Sequence, residues 1–207
     1  MDTKVGNTVK QPVRASMGVL GTLALAAFVA SCASTEMSKT WTDPSAKGAA
    51  MSKIAVVCLT KDPAKRRTFE DTAASRLAGA QAVSSYQILG DTDLKNLEAV
   101  KAKLRAAGMN GVLVMRMTGI SEQVTPVGPY GTLDGYWGYA AGPVFEPGYL
   151  ETDTVVHMVS NLYALDQESK LIWSGVSQTF DPASTKSFMK DVSKAVAKSL
   201  EKDHVVL

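Results

Sequence analysis

The sequence predicts a mixed α/β domain, a five-stranded sheet with three packed helices in the order β-α-β-α-β-β-β-α. Three observations predict it. Apolar runs of strand length, Lys53–Thr60 and Gly111–Met115, read as strands buried on both faces. The stretch between them repeats apolar residues at helical spacing. Further on, Thr154–Leu165 and Leu171–Phe180 read as strands joined by the polar connection Asp166–Lys170.

In chain order, Lys53–Thr60 is the first strand, and Cys58 inside it reads as a small packing residue. Asp62-Pro63 opens a helix, a capping carboxylate followed by a proline whose missing N–H costs nothing there. Phe69, Ala73 and Leu77 recur every four residues, and Gly79 is the expected stop. Lys65, Arg66 and Arg67 stand at the helix start, against its dipole. That misfit hints at an anionic contact, although Glu70 and Asp71 one turn on are enough to offset it. Val83–Leu89 is the second strand. Asp91 or Asp93 caps the next helix, where Leu94, Leu97, Lys101 and Leu104 mark the spacing and Gly108 supplies the left-handed end. Gly111–Met115, continuing towards Ile120, is the third strand, so the first half implies parallel pairing through right-handed crossovers. After the two later strands, Ser184 or Thr185 caps a last helix with the stripe Met189, Val192, Val196 and Leu200 and Phe188 beside it.

The first 31 residues read as an address. Lys4, Lys10 and Arg14 precede the 14-residue apolar run Met17–Ala30, which is too short to span a bilayer as a helix and matches a secretory signal. Its exit, Val29-Ala30-Ser31-Cys32, resembles the lipobox of bacterial lipoproteins. That resemblance implies cleavage between Ser31 and Cys32 and acylation of Cys32. Two or three acyl chains, at about 0.8 kcal/mol per buried methylene, make a firm membrane anchor. Ala33 replaces the Asp that retains enteric lipoproteins in the inner membrane, which favours the periplasmic face of the outer membrane. Of 22 basic and 20 acidic residues, three basic and one acidic precede Cys32. The remainder therefore has no formal net charge, and nucleic acid binding has no compositional support. With Cys32 acylated, Cys58 is the only thiol, so no disulfide framework is expected.

Residues 32–52 read as the lipidated cysteine and a polar tether, with Trp41 expected to dock on the domain of residues 53–207. The segment Pro126–Leu150 differs from the rest. It holds 6 of the 16 glycines, 4 of the 8 prolines and 6 of the 14 aromatic residues, with Asp134 and Glu146 its only charges. Repeated Gly and Pro prevent a regular element, and so long a connection is usually functional or disordered. Tyr130, Tyr136, Trp137, Tyr139, Phe145 and Tyr149 are candidate partner-binding residues, because Tyr and Trp offer rigid area at low entropic cost. The alternative is a loop that tucks some of them back onto the domain.

No nucleophile elbow, zinc-protease helix or phosphate loop is present. His157 lies mid-strand and is the only candidate base for a histidine-dependent reaction. Asp91 and Asp93 read as capping partners rather than metal ligands, and neither metal nor cofactor is expected.

Taken together, the lipobox at Cys32, Trp41-Thr42-Asp43-Pro44, Lys53–Val57, Asp62–Asp71, Gly111–Val114 and Ile172-Trp173-Ser174-Gly175 make the chain resemble a family of uncharacterised bacterial envelope lipoproteins. The resemblance implies fold and location and no catalytic residue. The sheet plan is also similar to the amino-terminal domain of TolB and the periplasmic part of CsgG, a likeness of fold alone. The expected function is a lipid-anchored, periplasm-facing, non-catalytic domain that binds an envelope protein through residues 126–150. An envelope hydrolase using His157 and a self-assembling subunit stand as alternatives.

Overall fold

The computed structural model describes residues 34–46, 51–127 and 149–206. One mixed sheet of six strands organises them, in the spatial order β1-β6-β5-β4-β2-β3. The strands are β1 (Thr35–Thr42), β2 (Lys53–Cys58), β3 (Gln81–Ser84), β4 (Gly111–Val127), β5 (Tyr149–Ala164) and β6 (Leu171–Phe180). The helices are α1 (Pro63–Ala74), α2 (Leu97–Ala106) and α3 (Thr185–Lys202).

The sheet has two characters. β2 pairs in parallel with both β3 and β4. It is buried from Ile54 to Cys58, as its unbroken apolar run requires. From β4 outward the pairing is antiparallel. There the side chains alternate, so that Trp173, Gly175, Ser177 and Thr179 of β6 are buried while Ser174, Val176, Gln178 and Phe180 are half-exposed. The connection from β2 to β3 places α1 on one face, and that from β3 to β4 passes over β2 and places α2 on the other. Phe69 of α1 and Val192, Val196 and Leu200 of α3 form one core with Leu113, Leu162 and Trp173. Leu104 of α2 forms a second with Ala55, Val57 and Val112. Each such side chain contributes roughly 1.5–3 kcal/mol on burial.

Several expectations are corrected. Residues 35–42 are not a tether but an edge strand, antiparallel to β6 from Thr35↔Thr179 to Thr42↔Trp173. Its polar composition reflects an edge position, and the Thr35 and Thr179 hydroxyls bond each other at 2.8 Å. Trp41 does not dock into the core; it stands opposite Ser174 and is 49% exposed. The Asp43-Pro44 corner that follows is structural. Asp43 accepts from the backbone and hydroxyl of Ser45 and pairs with Lys170, which holds its carboxyl down at about 2. The second strand stops at Ser84, and Ser85–Gln87 is a 3-10 turn because Glu70 draws in the Ser85 hydroxyl and the Tyr86 N–H. Asn96, not Asp91 or Asp93, caps α2. Asp93 instead accepts from the Gly90 N–H and pairs with Lys103 at 2.7 Å. α1 ends at Ala74, well before Gly79.

Other expectations hold. Asp62 caps α1, Ser184 caps α3, and Gly108 takes φ +77° after α2. Gly175 lies beneath the Trp173 indole, where any Cβ would run into the ring and come within 2.6 Å of Met37 Cε. Trp173 Nε1 in turn donates to Asp203 at 2.8 Å.

Candidate functional site

A crevice lies at one end of the sheet, and the topology explains it. The chain leaves the carboxyl end of β2 towards β3 on one side and that of β4 towards β5 on the other. β2 stops at Cys58, opposite Met115, while β4 runs on, so a gap opens beyond the carboxyl end of β2 and beside β4. Open α/β sheets commonly bind ligands beyond the carboxyl ends of strands. Here the gap measures about 670 Å³, within the range of small-molecule sites. Val156 and Met158 of β5 and Cys58 of β2 form its floor. Phe69 and Phe188 meet edge to face, ring centroids 6.3 Å apart, and with Met189 form the wall between α1 and α3. Leu59, Met117 and Ile120 border the mouth, each half-exposed or more. Thr60, Lys61, Lys65, Ser184 and Thr185 supply a polar rim.

A bulge in β4 sets the mouth. The register against β5 shifts between Met117↔Met158 and Gly119↔His157. Met115 and Met117 face α1 and α3; past the bulge Ile120, opposite Val156, returns to that face. The β4–β5 ladder then runs on to Val127↔Tyr149, beyond the last β5–β6 pair, Val155↔Phe180. Glu122–Val127 and their partners thus form a two-stranded ribbon reaching about 20 Å past the end of β6, at roughly 3.3 Å per residue. By pleat alternation Ile120, Glu122 and Val124 continue the crevice face, while Glu151 and Asp153 alternate to the opposite one.

β1 begins at this same end. Thr35 pairs with Thr179, and Ser34 accepts a hydrogen bond from Phe180. Cys32 is three residues earlier in the chain, so its Cα lies no more than about 11 Å from that of Thr35.

Chemically the crevice offers apolar surface and two ammonium groups. Burial, reinforced by the nearby Glu70 carboxylate, pushes the Cys58 thiol up to about 12, so it is no nucleophile at neutral pH. Behind Cys58 lies a buried charge cluster. Arg66 donates to Glu70 at 2.9 Å, to Asp91 at 2.8 Å and to Ser85 at 2.9 Å. Glu70 also accepts from the backbone N–H groups of Cys58 and Tyr86. The anion hinted at by Lys65-Arg66-Arg67 is therefore internal, and Arg67 rests on the Tyr86 ring, 5.9 Å from its centroid.

Of the residues singled out from sequence, Val29, Ala30, Ser31, Cys32, Tyr130, Tyr136, Trp137, Tyr139 and Phe145 lie outside the described residues. Tyr149 is the first residue of β5, and Pro126 pairs with Leu150, so both ends of the aromatic segment belong to the β4–β5 ladder rather than to a loop. His157 is on the face away from the crevice and shares a 2.8 Å hydrogen bond with the Ser121 hydroxyl. Among the described residues it pairs with no carboxylate, and no group of three or more His, Cys, Asp or Glu is placed to hold a metal. No described helix is long and apolar enough to cross a membrane. Reasoning from sequence missed the crevice.

No protein-family model and no curated protein matches the chain. Among solved structures, the PelC dodecamer from Paraburkholderia phytofirmans is similar at 15% identity and a TM-score of 0.43, over 84% of this chain and 99% of that one. Lipoprotein GNA1162 from Neisseria meningitidis is similar at 18% identity and a TM-score of 0.39, over 73% and 99%. These likenesses concern the path of the chain and carry no functional argument.

Proposed function

We propose that this is a lipid-anchored envelope protein, held by acylated Cys32 on the periplasmic face of the outer membrane. Its domain is non-catalytic and binds an envelope protein through the aromatic segment 126–150. The observation that carries the reading is the Val29–Cys32 lipobox behind its basic and apolar regions, with β1 starting three residues on. So short a connection keeps the carboxyl end of β2 and β4, the ribbon and the segment between its strands beside the bilayer, where an envelope partner would meet them.

Two measurements test it. Growth with a clickable palmitate analogue should label the wild-type protein and leave Cys32→Ala unlabelled; equal labelling overturns the anchor. Replacing 128–148 by Asn-Gly, a turn suited to closing a two-residue hairpin, should keep thermal unfolding cooperative and remove the protein adducts that a lysine-reactive crosslinker forms with the wild type in cells. Crosslinks retained at full yield by the shortened protein overturn the partner role.

A further inference from the structure

We propose that the crevice between β2, β4, α1 and α3 receives an acyl chain of an anionic phospholipid from the bilayer beside which the domain is held. This rests on the anchor reading and extends it from tethering to lipid binding. Three independent observations point there. The first is the cavity, apolar on its floor and walls and large enough for a chain. The second is its uncovered surround: Ile120 is 63% exposed, Val124 53% and Met117 52%, all on one face of β4, which the ribbon continues outward from the crevice. Apolar side chains aligned this way on a projecting element mark a contact surface.

The third is position and charge. The crevice mouth, the start of β1 and the ribbon share one end of the sheet, and Cys32 lies within about 11 Å of Thr35 in chain reach. A ribbon extending about 20 Å from that end outreaches the anchor, so the face that carries Val124 meets the membrane surface once Cys32 is seated there. Lys61 and Lys65 border the mouth, where a phosphate would sit while its chain enters. Lys65 approaches Asp62 at 3.8 Å, and Lys61 has no ion pair among the described residues. The acidic Asp153 and Glu151 stand on the far face of the ribbon; Glu122 shares the face of Ile120 and Val124 but lies outside the lining of the mouth.

The test uses the full chain in its own membrane. Cells are fed a palmitate analogue carrying a diazirine and an alkyne, which enters both phospholipids and acylated cysteines, and are then irradiated. Light-dependent adducts with the mass of a phospholipid are expected on the peptides containing Met117–Ile120 or Phe188–Met189. They should fall by roughly tenfold or more in Ile120→Glu, because a carboxylate in the mouth opposes an acyl chain. Leu97, 64% exposed on α2 against the other face, is the internal control. Absence of crevice adducts overturns the proposal, as do adducts equally frequent at Leu97 or unaffected by Ile120→Glu. A crosslink joining the Cys32 peptide to the crevice also overturns it, since the occupant would then be the protein's own anchor. Light-independent label on Cys32 reports the anchor separately, so failure of either reading is seen by itself.

Discussion

The two ends of the sheet are built differently. At the end where β2 and β4 begin, each strand terminus is tied to a neighbour. Asn110 bonds the backbone of Lys53 in both directions. Arg105 donates to the carbonyls of Leu165 and Asp166, and Asp43 pairs with Lys170. Met51 bridges to Val206, and Asp203 holds the Trp173 indole. At the opposite end the Arg66–Glu70 cluster seals the β2–β3 side, and Asp181, which bonds the backbone of Thr154 in both directions, ties β6 to β5. The β4–β5 side leaves a cavity and a row of exposed apolar side chains. The cavity lies at the end where β1 begins, three residues after Cys32, for which we propose acylation.

The comparison makes graded predictions. The largest effect is expected from Glu70→Ala, which leaves Arg66 buried without its buried carboxylate partner and should cost about 3–5 kcal/mol by denaturant unfolding. The double variant Arg66→Met/Glu70→Leu should recover much of that; if it does not, the cluster does more than satisfy itself. Next, Gly175→Ala forces a methyl against Trp173 and Met37 and should cost about 1–3 kcal/mol. At the open end, Ile120→Ser and Val124→Ser should change stability by no more than about 0.5 kcal/mol, since both are exposed. A cost above about 2 kcal/mol at either would mean that this end is closed and the contrast false.

The smallest effect is pH-dependent. Because the folded Asp43 carboxyl is held at about 2, below the ~3.9 of an unfolded chain, its contribution is complete above pH ~4 and is lost as pH falls towards 2. The Tm gap between wild type and Asp43→Asn should therefore be constant from pH 7 to about 5 and shrink below about 4. A gap that persists at pH 2 would assign it to packing.

Much of this plan could be read from residues in order. β2 and α3 declare themselves by an apolar run and a helical stripe, and β6 by the polar connection Asp166–Lys170 before it. β1 could not, because its polar residues become a strand only by pairing with β6 about 140 residues away. β3 ended early for a reason equally remote, the pull of Glu70 on Ser85 and Tyr86. The crevice was invisible because its walls, Phe69, Phe188 and Met189, read as ordinary core. One signal was present: Leu113, Met115 and Met117 alternate, and Ile120 and Val124 resume the alternation out of phase. That slip of one residue marks the bulge that turns Ile120 to the mouth.

The claim that the open end faces the bilayer is tested most directly with spin labels on the membrane-anchored protein, at Val124→Cys on the ribbon and Glu168→Cys at the sealed end. Cys58, buried and with its thiol pushed up to about 12, remains unlabelled. The account predicts that the label at 124 collides preferentially with oxygen, which partitions into lipid, and the label at 168 with a water-soluble nickel complex. Equal access of the nickel complex to both positions would contradict it.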